Sequence, residues 1–65
     1  MYKNKIKETR KVQGITLIEL ARKTGMSAGY ICHLEKGTRR NPSAQMMEKI
    51  ASALNKSVQE LFFDE

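Results

Sequence analysis

Residues 16–37 read TLIELARKTGMSAGYICHLEKG, and in them two helix-starting signals alternate with two helix-stopping glycines. Thr16 followed three residues later by Glu19 forms a capping box, in which each side chain satisfies a backbone N–H at the start of a helix. Leu17, Leu20 and Ala21 then recur at i, i+3, i+4, the spacing of one helical face. Gly25 supplies a residue able to turn with positive φ where that helix stops. Ser27 caps a second helix. Within it Ile31 and Leu34 lie one turn apart and face inward, which leaves Ala28, Gly29, Cys32 and His33 on the opposite side, with Gly37 as terminator. A stretch punctuated in this way is predicted to fold as two short helices across a tight turn, one face packed and the other turned outward.

That outline is a helix-turn-helix, and the flanking sequence supplies helices for it to pack against. A first helix is predicted over about 4–12, with Ile6, Thr9 and Val12 toward the core and Gly14 turning the chain out of it. After Gly37 comes a basic loop, TRRNPS, in which Pro42 biases Asn41 away from helix and Ser43 can cap the next one. There Met47, Ile50, Ala51 and Leu54 form an inward stripe, and Asn55 is a plausible left-handed terminator. Ser57 with Glu60 makes a second capping box, opening a last short helix with Val58, Leu61 and Phe62. Five helices result. No run alternates with period two for long enough to make a strand, and no repeat or low-complexity segment is visible.

Sixty-five residues make one domain, 1–65, and a chain of that size buries little surface. The single cysteine, Cys32, and single histidine, His33, cannot form an intrachain disulfide or a four-ligand zinc site. No metal, cofactor or small-molecule effector is expected. Being neighbours on a helix, the two diverge by roughly 100°, so they cannot work together as nucleophile and base. No paired carboxylates offer an alternative, and no catalytic residues are assigned. Neither a signal peptide nor an apolar run near the roughly 20 residues of a membrane span is present, so the expectation is a cytoplasmic protein away from the membrane. Net charge is +5, unevenly spread: residues 1–40 hold ten Lys or Arg against three Glu, a balance of +7, and residues 41–65 hold two Lys against four acids, a balance of −2. The positive field thus lies where the helix-turn-helix lies, and such a field attracts a polyanion.

The order of these signals resembles the Cro/C1-type, or Xre-type, helix-turn-helix repressor family. The likeness continues through NPS at 41–43, KIASAL at 49–54 and SVQELF at 57–62, covering about 4–63. Within the family it resembles the DNA-binding half of SinR-type repressors, through the NPS loop, the EKIASAL helix and the SVQELF ending. The resemblance implies an all-α fold, a five-helix lambda-repressor-like domain. It implies a transcriptional repressor that binds double-stranded DNA at an operator as a homodimer, with helix 27–36 in the major groove.

The base-reading positions implied by the family fall on Ala28, Gly29, Tyr30, Cys32 and His33. Many relatives carry Gln, Arg, Lys or Ser there. Ala28 and Gly29 offer no bidentate reading, although an alanine methyl can touch a thymine methyl and a glycine lets the backbone come close; the alternative is that they only fill the helix. Tyr30 is either a backbone contact or a half-buried packing residue. His33 is either a donor to guanine or phosphate or a solvated side chain. Thr16, Ser27, Lys36, Thr38, Arg39 and Arg40 match positions that the family sets against phosphates, the two arginines being otherwise a plain solvated loop. Arg10 and Glu35 match positions that pair between the first and third helices. Of the adjacent Leu17 and Ile18, at most one can point inward. Together with Met46, Phe62 and Phe63 they are candidates for a partner surface, Phe62 and Phe63 being the candidate dimer contacts; the alternative is that they complete a small core while Phe63 frays. A different class of function uses Leu17, Ile18 and Tyr30 as an apolar docking face of a protein-interaction module that keeps the fold without specific DNA binding.

Overall fold

In the computed structural model, residues 4–38 and 42–63 are described. The elements in chain order are α1 (Ile6–Val12), α2 (Leu17–Thr24), α3 (Ala28–Lys36), α4 (Ala44–Ala53) and α5 (Gln59–Phe63), and no strand occurs among the described residues.

Local sequence accounts for most helix ends. Thr16 Oγ1 accepts the Glu19 N–H at 3.1 Å while the Glu19 carboxylate accepts the Thr16 N–H at 2.8 Å, completing the first capping box. Ser27 and Ser43 cap α3 and α4 through the N–H groups of Tyr30 and Met46. Ser57 and Glu60 reciprocate at 2.9 and 3.1 Å. Asn55 takes φ of 58°, the left-handed conformation that an asparagine tolerates better than most residues. The helix expected after Ser57 has π geometry instead of α. Its wider turn brings successive side chains closer in angle than the roughly 100° of an α-helix, which suits a segment that buries the adjacent Leu61 and Phe62.

The core consists of Ile6, Leu20, Ile31, Leu34, Ile50, Ala51, Leu54, Leu61 and Phe62, so every helix contributes to one apolar centre. Helix α2 packs against both α3 and α4. Two expectations for α1 need correction. The helix begins at Ile6, not near Asn4, because the Asn4 side chain bridges instead: Oδ1 accepts the Ile6 N–H at 3.1 Å and Nδ2 donates to the Leu34 carbonyl at 2.8 Å. Val12 is 83% exposed and Thr9 half-buried. At i+4 and i+7 from Ile6 stand Arg10 and the C-cap Gln13, polar side chains that reach across to other elements, with the Nε2 of the largely exposed Gln13 donating to the Leu54 carbonyl at 2.7 Å. Phe62, expected at a partner surface, is only 6% exposed and belongs to the core.

Candidate nucleic-acid interface

The turn between α2 and α3 is held at several points. Gly25 has φ of 74°, its N–H and that of Met26 both donate to the Ala21 carbonyl, and the buried Thr24 hydroxyl donates to the Leu20 carbonyl at 2.9 Å. A fixed turn fixes the angle between the two helices. Gly37, at φ 80°, ends α3.

With Ile31 and Leu34 fully buried, the outward face of α3 is set by what remains. Gly29 and His33 are exposed, whereas Ala28 and Cys32 are half-buried, so the free face is narrower than the sequence implies. A Cβ added at Gly29 would meet no atom within 4 Å, which leaves the first turn of α3 open to close approach from outside. Tyr30 sits at the edge of the core, half-buried, and its hydroxyl donates to Met46 Sδ at 3.0 Å. That hydroxyl thus has a partner within the protein, an arrangement consistent with the packing alternative. His33 Nδ1 lies 2.9 Å from Thr38 Oγ1, which also donates to the His33 carbonyl at 3.1 Å.

Among the flanking residues, Thr16, Ser27, Lys36 and Thr38 are exposed. The cap at Ser27 uses a lone pair of the hydroxyl oxygen and leaves its proton for another acceptor. Thr38 differs, since its proton is spent on His33. Arg39 and Arg40 lie outside the described residues. Glu19, bonded first by the Thr16 N–H and then by the Thr16 hydroxyl, is held below the usual carboxylate range, with Lys23 and Arg22 adding a smaller pull.

Behind the outward face of α3, Arg10 forks onto Glu35, Nε donating to Oε2 at 2.9 Å and Nη2 to Oε1 at 3.2 Å, while Nη1 donates to the Ile15 carbonyl at 3.1 Å. The two side chains are 11% and 5% exposed. The hydrogen bond to Glu35 holds the guanidinium above its ordinary value, against the opposing effect of burial. The expected pair between first and third helices is therefore present. Asn4 and Gln13 were not singled out in the sequence, though the last carbonyls of any helix need donors and both residues lie near the inward stripe of α1. Of the expected partner surface, Leu17 packs on the core and Met46 is half-buried, leaving Ile18 at 61% and Phe63 at 58% exposed.

A cleft of about 490 Å³ between α2 and α4 is lined by Lys23, Thr24, Gln45, Glu48, Lys49, Ser52 and Ala53, and its single carboxylate cannot form an acid–base pair of carboxyls. Among the described residues no group of three or more His, Cys, Asp or Glu could hold a metal ion, and no helix is long and apolar enough to cross a membrane.

Residues 6–61 match the profile of the helix-turn-helix family. The chain belongs to the Cro/C1-type helix-turn-helix family. Among its members, the transcriptional regulator SinR of Bacillus subtilis is 39% identical over 61 residues, 94% of this chain and 55% of SinR. The chain thus spans about half the length of that relative. An uncharacterised HTH-type transcriptional regulator of Archaeoglobus fulgidus is 41% identical over 64 residues, covering 97% of this chain and 90% of its own. In three dimensions the chain is similar to SinR, the master regulator for biofilm formation, in its crystal structure with DNA. The TM-score is 0.80 at 40% identity, with 85% of this chain and 87% of that one covered. The restriction-modification controller protein C.AhdI from Aeromonas hydrophila gives 0.82 at 33%, covering 89% and 86%. These helix-turn-helix relatives are regulators and not enzymes.

Proposed function

We propose that this chain is a sequence-specific double-stranded DNA-binding transcriptional regulator of the cytoplasm, a repressor that takes an operator as a homodimer with α3 in the major groove. The observation that carries this reading is the two-sided construction of α3. Its inner face is locked by Ile31, Leu34 and the Arg10–Glu35 fork, and its outer face leaves Gly29 open at the Ser27-capped start and His33 open in the last turn. Backbone N–H groups at such a start favour a phosphate, and the likeness to SinR bound to DNA supports the placing of this face. Base reading by His33 with close backbone approach at Gly29 is sparse, so Thr16, Ser27, Lys36, Arg39 and Arg40 hold the phosphates and supply most of the affinity. The interaction-module alternative loses two of its three docking residues, since Leu17 packs on the core and Tyr30 is half-buried against it.

Selection from a random duplex pool tests the proposal. Enrichment of a motif with two-fold symmetry is the expected result. A pool that stays random at low salt would overturn specific recognition.

A further inference from the structure

His33 and Thr38 form a small closed network at the end of α3. The Thr38 hydroxyl donates to the His33 carbonyl at 3.1 Å, and its oxygen lies 2.9 Å from His33 Nδ1. A hydroxyl has one proton to give. With that proton on the carbonyl, the oxygen meets Nδ1 through a lone pair, so Nδ1 carries the ring hydrogen. The reverse assignment, in which the hydroxyl donates to a bare Nδ1, makes one bond where the first makes two. The neutral ring is then left with a bare Nε2 on the edge away from Thr38, in a residue exposed on the outward face of α3.

We propose that Thr38 is a positioning residue that fixes the tautomer of His33, making Nε2 of the neutral ring a hydrogen-bond acceptor that selects an exocyclic amine, adenine N6 or cytosine N4, in the major groove. This rests on the placing of α3 in the groove. Guanine and thymine present acceptors at the corresponding edge, O6 with N7 and O4, and a bare Nε2 has no proton to offer them. Without the lock, the Nε2–H tautomer becomes available and would accept guanine instead. His33 thus distinguishes bases through a proton placed by a residue that itself touches no base.

The test has two arms, both at about pH 8.5, above the range where histidines ordinarily titrate. Nitrogen-15 NMR of the free chain reads the tautomer directly. Wild type and Thr38→Ser, which keeps the hydroxyl, are expected to show a pyrrole-type Nδ1 and a pyridine-type Nε2, and Thr38→Val is expected to shift toward Nε2–H. In duplex selection, wild type and Thr38→Ser should favour adenine or cytosine over guanine by about fivefold at one position, a single hydrogen bond's worth, and Thr38→Val should lose that preference. An Nε2–H ring in the free wild type overturns the proposal whatever the DNA result. So does a Thr38→Val variant that keeps the wild-type base preference. Failure of the wild type to bind any duplex overturns base selection together with the DNA reading beneath it, while NMR separately decides the tautomer.

Discussion

Arg10 places all three guanidinium nitrogens on protein oxygens, two on Glu35 and one on the Ile15 carbonyl. Both charged groups are largely out of water, where desolvation cancels much of their attraction and a single survivor has nothing to offset its cost. Arg10→Ala or Glu35→Ala should therefore each lose about 3 kcal/mol of stability. The pair Arg10→Met with Glu35→Leu should lose less than either, as read from urea unfolding. Two single variants within about 0.5 kcal/mol of wild type would show that the fork contributes like a surface pair. A spacing argument alone does not find this pair, because 25 positions separate its members; the family resemblance points to it. The Tyr30 hydroxyl illustrates the opposite limit. Its place on Met46, 16 positions away, depends on how α3 and α4 pack, and helix periodicity says nothing about which of two packed helices receives a side chain at the seam.

Among the elements, α2 has a self-contained start, since its capping box uses only Thr16 and Glu19. The folded carboxylate of Glu19 is held below its ordinary range. A depressed carboxyl contributes stability above its unfolded pKa and loses it as pH falls through the folded value. Thermal melts should show the wild type losing stability from about pH 5 downward, below which unfolded carboxylates take up protons. Glu19→Gln keeps an amide oxygen for the Thr16 N–H but cannot titrate, so its acid limb should be shallower. An identical slope in the two proteins would remove Glu19 from the pH response. Signals of this kind made α2, α3 and α4 legible: each has its cap and its apolar stripe within a dozen residues. The apolar stripe expected for α1 fails at Val12 because the side chains that reach across to other elements are the polar Arg10 and Gln13, which an apolar-only pattern passes over. In α5 the helix that buries the neighbours Leu61 and Phe62 has π geometry, which the capping box at its start gives no means of foreseeing. At the reading face, the positions were legible and their exposure was not, since Ala28 and Cys32 are half-covered by the surrounding fold.

For the whole molecule, the balance of +7 in residues 1–40 should make phosphate contact the main source of duplex affinity. With about four to six phosphates touched per subunit, log K should fall against log salt with a slope of order −4 to −5 per subunit. A slope near zero would exclude this electrostatic mode. For the proposed dimer, Phe63 is the contact to test, because Phe62 is enclosed and Phe63 remains 58% exposed. Sedimentation with a duplex carrying two half-sites should show cooperative occupancy by wild type and its loss in Phe63→Asp; unchanged cooperativity would rule out this contact. Asn4 bonds the Leu34 carbonyl and Arg10 grips Glu35, so α3 is held from behind by residues 30 and 25 positions earlier in the chain. Detaching α1 would leave the α2–α3 turn intact and remove the backing against which α3 is aimed. The energy of that partial opening, measurable by amide hydrogen exchange in α1, sets how often the reading helix is out of true while the rest of the domain stays folded.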